Sequence, residues 1–142
     1  MLRVNKRFEY ALLLLRTLYE EGLGMPLSAG TLAQRCGVAS SLTAKILQNL
    51  SRAGIIESEL GASGGYRLMR PPEAISVLEV SDAVLGPAGP DGCDRAYGAL
   101  CAPDASCGLE SPQHRLGHRL LLMYKTLTLA ELFEGSAVSE TI

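Results

Sequence analysis

No stretch of this 142-residue chain approaches the roughly 18 consecutive apolar residues that a membrane-spanning helix needs, so a transmembrane protein is not expected. A secretory leader is not expected either, because Arg3, Lys6 and Arg7 run directly into a helix-like stretch carrying Glu9, Arg16 and Glu20. The sequence has no Cys-x-x-Cys pair of the kind that structural zinc sites use. It has no phosphate-binding glycine loop, no paired carboxylates and no nucleophile arrangement placed for catalysis, and His114 and His118 sit together on one helix-like segment. An enzyme is therefore the least favoured class. There is no internal repeat. A cytoplasmic protein follows as the expectation, and in that compartment the four cysteines read as thiols, metal ligands or redox groups rather than disulfides.

What is present is one modest hydrophobic core, since 47% of the residues are apolar. The net charge of -2 hides an asymmetry: residues 1 to 70 carry nine positive and five negative side chains, a balance of +4, while 71 to 142 stand at -6. A front half that faces phosphates and a back half with another task would produce that division. Ordinary surface scatter would produce it too, so the residue pattern must decide.

Phe8, Ala11, Leu12, Leu15, Leu18 and Tyr19 recur at spacings of three and four, which predicts one buried face on a first helix ending near Gly22 and Gly24. A second helix is expected to begin around Ser28 to Thr31 and end at Cys36, with Gly37-Val38-Ala39 as a turn. Ser40 or Ser41 then caps a third helix whose buried stripe is Leu42, Ile46, Leu47 and Leu50, stopped by Gly54. Residues 55 to 58 and 66 to 68 read as strands joined through Gly61-Ala62-Ser63-Gly64-Gly65, a small β wing. Ser76 and Glu79 form a capping box that opens a short helix to about Leu85.

From Gly86 to Glu110 there is neither a helical nor a strand period. Ser111-Pro112 starts a long helix with an apolar seam of Leu116, Leu120, Met123 and Leu127, and Thr128 with Glu131 makes a second capping box for a final turn to Phe133. The fold class expected is thus mainly α with a small β wing. Its divisions are 1-85, a winged helix-turn-helix; 86-110, a cysteine-containing loop; 111-134, the long helix and final turn; and 135-142, a frayed tail.

A helix-turn-helix needs a small residue where the helices meet, a turn residue able to take a left-handed dihedral, and apolar residues locking the second helix behind its exposed face. Ala33, Gly37, and the set Leu32, Cys36, Val38 and Ile46 satisfy these requirements. Ser40, Ser41, Thr43, Lys45, Gln48 and Arg52 are then expected to face outward on the third helix, as short polar groups and long donors suited to base edges and phosphates. A merely solvated face is the plain alternative for any one of them. The wing tip, with Ser63, Gly64 and Gly65, has little bulk and is flanked by Arg67 and Arg70, an arrangement suited to a minor groove with guanidinium groups on adjacent phosphates. Arg3, Lys6 and Arg7 would add phosphate contacts.

Cys93, Cys101 and Cys107 all fall in the one long stretch without a period, whereas Cys36 follows a helix face. Their chemistry leaves iron-sulfur, zinc and a metal-free thiol switch open.

Taken together, Phe8-Glu9-Tyr10-Ala11, the Leu32-Ala33 to Val38 turn region, Gly61-Ala62-Ser63-Gly64-Gly65-Tyr66-Arg67-Leu68 with Arg70-Pro71-Pro72-Glu73-Ala74-Ile75, and the closing Leu127-Thr128-Leu129-Ala130-Glu131-Leu132 resemble the IscR and NsrR family of winged-helix regulators, also called the Rrf family. The resemblance covers residues 1 to about 134. It implies a transcription regulator that is a homodimer joined through the long C-terminal helix, with a recognition helix in the major groove of double-stranded DNA and a wing in the minor groove. It also implies an iron-sulfur cluster, two-iron or four-iron, held by Cys93, Cys101 and Cys107, and a signal such as cluster supply, nitric oxide, redox state or cysteine metabolism. No small-molecule substrate is implied.

The family's cluster-binding members usually leave five and five residues between the three cysteines, and this chain leaves seven and five. A two-residue insertion in a loop costs little chain entropy. For the fourth ligand, Glu9 of the partner subunit matches the acidic residue that one branch of the family uses and ranks first; Glu110 stands where another branch has a histidine and ranks second, and His114, an alternative by residue type as His118 is, ranks third. Two rivals remain: a thiol-switch or cysteine-metabolism regulator of the same fold without a cluster, and a protein-interaction module that uses the winged helix for docking.

Overall fold

Helix α1 (Lys6–Glu21) starts where the Asn5 side chain accepts the Arg7 backbone N–H at 2.9 Å, and it stops at Gly22. Its buried side chains are Phe8, Ala11, Leu14, Leu15 and Leu18. Leu12 and Tyr19, expected on that face, lie at its border, and Leu14 takes the central place. The phase of the helix is hidden locally because Leu12, Leu13, Leu14 and Leu15 are all leucine, so only packing selects which of them are inside. The computed structural model that shows this describes residues 4–22, 25–86 and 112–135. The expectations placed on Arg3, Cys93, Cys101, Cys107, Glu110, the Ser111 cap and the tail beyond 135, together with the side chain of His114, lie outside the described residues.

Helix α2 (Ala29–Cys36) is capped by Ser28, whose hydroxyl accepts the Thr31 N–H at 3.1 Å. It ends at Gly37, whose φ of 65° is a left-handed conformation that a residue with a Cβ adopts only at a cost. The turn is closed by the Val38 N–H to the Ala33 carbonyl at 3.1 Å, and Val38 is buried beneath it.

Helix α3 (Ser40–Arg52) follows at once. The expected serine cap is corrected here: Ala39 occupies the cap position and makes no side-chain bond, so Ser40 and Ser41 are the first two helical residues and both are exposed. Thr43 is corrected as well. It lies three, four and seven residues before Ile46, Leu47 and Leu50, on the same face, and it is fully buried with them. Its Oγ1 has no hydrogen-bond partner among the described residues.

Strands β1 (Ile56–Glu59) and β2 (Gly65–Leu68) pair antiparallel, with Glu57 opposite Arg67 and Glu59 opposite Gly65, so the connecting tip is residues 60 to 64. A third segment joins the ladder. Leu27, just ahead of α2, exchanges both backbone bonds with Tyr66, at 3.0 and 2.7 Å. A Cβ on Gly65 would stand 2.5 Å from the Leu27 carbonyl, and one on Gly64 would stand 2.2 Å from the Glu59 oxygen, so both glycines are required by the packing of the chain on itself.

Past a single 3-10 turn at Pro72–Ala74, helix α4 (Val77–Leu85) begins with the complete Ser76 and Glu79 capping box and packs against α1 and α3. Helix α5 (Pro112–Thr126) lies against α4, with Tyr124 stacked on Phe8 at 5.8 Å, and helix α6 (Leu129–Phe133) opens with the Thr128 and Glu131 box. Segments 75–77 and 127–129 form a short bridge through Val77 N–H to Leu127 O at 2.8 Å and Leu129 N–H to Ile75 O at 3.0 Å. Leu129 is thereby inserted into the core shared by α1, α3 and α4. None of the described helices is long and apolar enough to cross a membrane.

Two stability measurements follow. Replacing Thr43 by Val removes a buried hydroxyl that has no partner at nearly constant shape, and it should raise stability by about 1 kcal/mol in urea unfolding. A loss of stability would mean that the hydroxyl is satisfied in solution. For Glu79, burial pushes the carboxyl up, but the Ser76 backbone N–H and the Arg70 guanidinium outweigh it and hold the group below its ordinary value. A depressed carboxylate stabilises the fold above its unfolded value, and that contribution disappears as pH falls through the lowered one. The stability gap between the native chain and Glu79→Gln should therefore shrink as the pH falls through and below the ordinary carboxylate range.

Candidate nucleic-acid interface

Because Thr43, Ile46, Leu47 and Leu50 turn inward, the opposite side of α3 is fixed by helical geometry. Ser41, Lys45, Gln48 and Arg52 follow one another at spacings of four, three and four, and all four are exposed. Ser40 stands beside them at the first turn. Since no side chain caps this end, the first backbone N–H groups of α3 are offered to whatever approaches, and a helix N-terminus favours an anion.

The cations of the front half divide into two groups. Arg16 is bound to Glu20 at 2.9 Å, Arg35 to Glu21, Lys6 to Glu9 at 3.5 Å, Arg67 to Glu57 and Glu59, and Arg70 to Glu79. Lys45 and Arg52, like the Arg7 side chain, have no ion pair among the described residues. Within this front half, the cations without an ion pair among the described residues thus lie on the outer stripe of α3 and at the start of α1.

On the wing the guanidinium groups have acidic partners within the fold. Arg67, expected to reach for phosphate, donates through Nε to Glu57 at 2.7 Å, and its Nη1 lies 3.0 Å from Glu59. The hydrogen bond to Glu57 is the main cause of its raised pKa, with the charge of Glu59 adding to it. Arg70, expected in the same role, donates to the Ala74 carbonyl at 3.1 Å and to Glu79 at 2.8 Å. Both guanidinium groups have carboxylates within reach along the chain, and a near carboxylate is a better partner than water. Gly64 and Gly65 are half-buried where the hairpin meets Leu27, leaving Ser63 exposed at the tip. The tip also contains Leu60, fully exposed, which sequence reasoning passed over. The register that places Leu60 in the tip depends on the pairing of Glu59 with Gly65 and has no local signature.

Glu9, the first candidate for a fourth metal ligand, lies in the first turn of α1, with its carboxylate about half exposed beside Lys6. Among the described residues no three or more His, Cys, Asp or Glu side chains gather into a group able to hold a metal ion. Cys36 is half-buried, its sulfur 3.3 Å from the Thr17 hydroxyl.

On the outer side of α5, Leu116, Leu122 and Met123 are exposed, each at roughly half its full area, while Leu120 and Leu127 are partly covered. Leu116 and Met123 lie one heptad apart on the seam seen in the sequence, and a heptad seam is the signature of helix pairing.

Comparison with known proteins accounts for this arrangement. Over 137 residues the chain is 28% identical to protein rrf2 of Nitratidesulfovibrio vulgaris, covering 96% of this chain and 91% of that one. It is 33% identical over 135 residues to protein aau3 of Rhizobium meliloti, covering 94% and 86% respectively. Among solved structures it superposes on CymR, the global cysteine regulator of B. subtilis, with a TM-score of 0.73 at 22% identity, over 96% of this chain and all of that one. It also superposes on T. potens IscR with a TM-score of 0.68 at 22% identity, over 99% and 93%. At those identities the two structures establish the winged-helix fold. The family model described as Rrf2, iron-dependent transcriptional regulator, matches residues 4–135. The chain therefore belongs to the Rrf2 family, whose members are transcriptional regulators and not enzymes.

Proposed function

We propose that this protein is a cytoplasmic, homodimeric regulator that reads double-stranded DNA through the outer stripe of α3. The observation that carries this reading is that Ser41, Lys45, Gln48 and Arg52 share one exposed face, with both cations unpaired among the described residues, directly after the left-handed turn at Gly37. Ser40 and Ser41 lie at an uncapped helix end suited to a phosphate. Gln48 has the donor and acceptor pair that matches an adenine edge, and Lys45 and Arg52 carry charge for guanine edges or phosphates. Ser63 and the rest of the wing tip are assigned to the minor groove with little charge of their own, since Arg67 is neutralised within the hairpin. The exposed heptad positions Leu116 and Met123 of α5 support pairing with the same helix of a second copy.

In this reading residues 1–85 form the DNA-binding unit, 86–110 the sensor segment, 111–134 the dimerisation helix and final turn, and 135–142 a tail. Cys93, Cys101 and Cys107 would hold an iron-sulfur cluster, with Glu9 of the partner subunit or Glu110 as the fourth ligand. Three thiolates and a carboxylate suit iron, and the carboxylate is a hard, exchangeable donor. The half-exposed Glu9 carboxylate is accessible to such a role, although Lys6 must release it. When bound, the cluster supplies a centre sensitive to oxidation and to nitric oxide. A thiol-switch regulator of the same fold is the second reading, favoured by the seven-residue gap between Cys93 and Cys101 and by a likeness to an oxidised form of Staphylococcus aureus CymR, with a TM-score of 0.70.

Two experiments test the proposal. In operator titrations at several salt concentrations, Lys45→Ala and Arg52→Ala should each weaken binding, and for every phosphate that a variant no longer neutralises the slope of log affinity against log salt should fall by about 0.9. Unchanged affinity together with unchanged slopes would remove the two residues from the interface. Protein isolated anaerobically should show charge-transfer absorption with iron and sulfide in proportion, and its operator affinity should change on chelation. Colourless protein that binds equally well after chelation, and forms disulfide-linked peptides among Cys93, Cys101 and Cys107 under oxidant, would transfer sensing to the thiols.

A further inference from the structure

The exit of the wing, the start of α4 and the junction between α5 and α6 converge on a single carboxylate. One oxygen of Glu79 accepts from Arg70 at 2.8 Å, and the other accepts from the Ser76 backbone N–H at 2.9 Å. Arg70 is the first residue beyond the hairpin ladder, which ends with the Met69 N–H on the Ile55 carbonyl at 3.0 Å. The same guanidinium holds the Ala74 carbonyl at 3.1 Å, fixing the Pro72–Ala74 turn between hairpin and helix. Ser76 is in turn the residue bridged to Thr128, so the backbone that receives the second oxygen is also tied to the junction of α5 with α6.

From this convergence we infer that Glu79 is a positioning residue for DNA recognition: through Arg70 it sets the orientation of the wing relative to α4 and to the α5–α6 junction. The inference rests on the reading of the protein as a DNA-binding regulator. Three features support it. The wing is a two-stranded ladder anchored at its base by buried Ile56 and by the short Leu27 bridge, and the strand exit is held by Arg70; a two-stranded hairpin by itself is marginal in water. Both Glu79 oxygens are engaged, so the carboxylate cannot follow Arg70 without losing Ser76. Finally, Glu79 lies on the helix that in sequence precedes the segment carrying Cys93, Cys101 and Cys107, and so between that segment and the wing along the chain. Arg67 has no such role, because both its acidic partners belong to the hairpin itself.

Glu79→Gln and Arg70→Gln separate positioning from simple stability. Glutamine preserves the capping interaction at position 79 but not the ion pair, and Arg70→Gln leaves the capping box whole. Full-length protein is compared by amide hydrogen exchange without DNA and by titration of an operator duplex. Both variants should accelerate exchange in 65–69 several-fold more than in α1 and α3, and weaken operator binding about tenfold with an unaltered salt slope. Arg70→Lys should restore part of both effects. Exchange accelerated equally throughout the fold would make the pair merely structural and overturn the inference. Unchanged hairpin exchange, or faster hairpin exchange with full operator affinity, would also overturn it. If the native protein binds no duplex at all, the regulator reading fails instead, and the exchange comparison still decides whether Glu79 orders the wing.

Discussion

The arrangement depends first on the burial of one face of α3. Ile46, Leu47 and Leu50 are completely enclosed against α1, α2 and α4, and Leu32 and Val38 close the space behind the Gly37 turn. Deleting a buried leucine of this kind costs about 2–5 kcal/mol, a large share of the stability of a domain this size. A helix held that firmly on one side has no freedom to roll. The outward direction of Ser41, Lys45, Gln48 and Arg52 is thus a consequence of core packing, and a rigid support of this kind is what a recognition surface needs.

Electrostatics then distinguish the two candidate contact elements. Surface ion pairs contribute little to stability, but they determine which cations remain available. On the wing, the Glu57, Arg67 and Glu59 cluster leaves no excess positive charge, and Arg70 is committed to Glu79. On α3 the two cations are uncommitted among the described residues. In the proposed reading, attraction to a phosphate backbone therefore centres on the helix, and the hairpin contributes shape. This division also reconciles an acidic chain with a nucleic-acid partner: the charges that matter are those the fold leaves unpaired, not the sum.

Most of the local structure was legible from the sequence, because caps and turns have residue signatures. Ser28 and Gly37 bound α2 as expected, and both capping boxes, Ser76 with Glu79 and Thr128 with Glu131, are formed. What escaped sequence reasoning was information held between segments. The pairing of Leu27 with Tyr66 explains Gly65, and the pairing of Ser76 with Thr128 inserts α6 into the core, yet neither leaves a trace in either stretch alone. Thr43 is a different kind of miss. Its position relative to Ile46, Leu47 and Leu50 marks it as buried, but its hydroxyl suggested an outward role, and position proved the better guide. The partners of Arg67 and Arg70 were similarly overlooked. Glu57 faces Arg67 only once the strand register is known, and Glu79 approaches Arg70 only once the intervening turn is folded.

Site-specific photo-cross-linking to an operator duplex tests the central claim most directly, with the reactive group placed in turn at positions 41, 45, 48 and 52 of α3 and at the exposed positions 16 of α1 and 125 of α5. Cross-links from the four α3 positions and none from the other two would establish the outer stripe of α3 as the surface that meets DNA. Cross-links from positions 16 or 125, with the α3 positions silent, would contradict it.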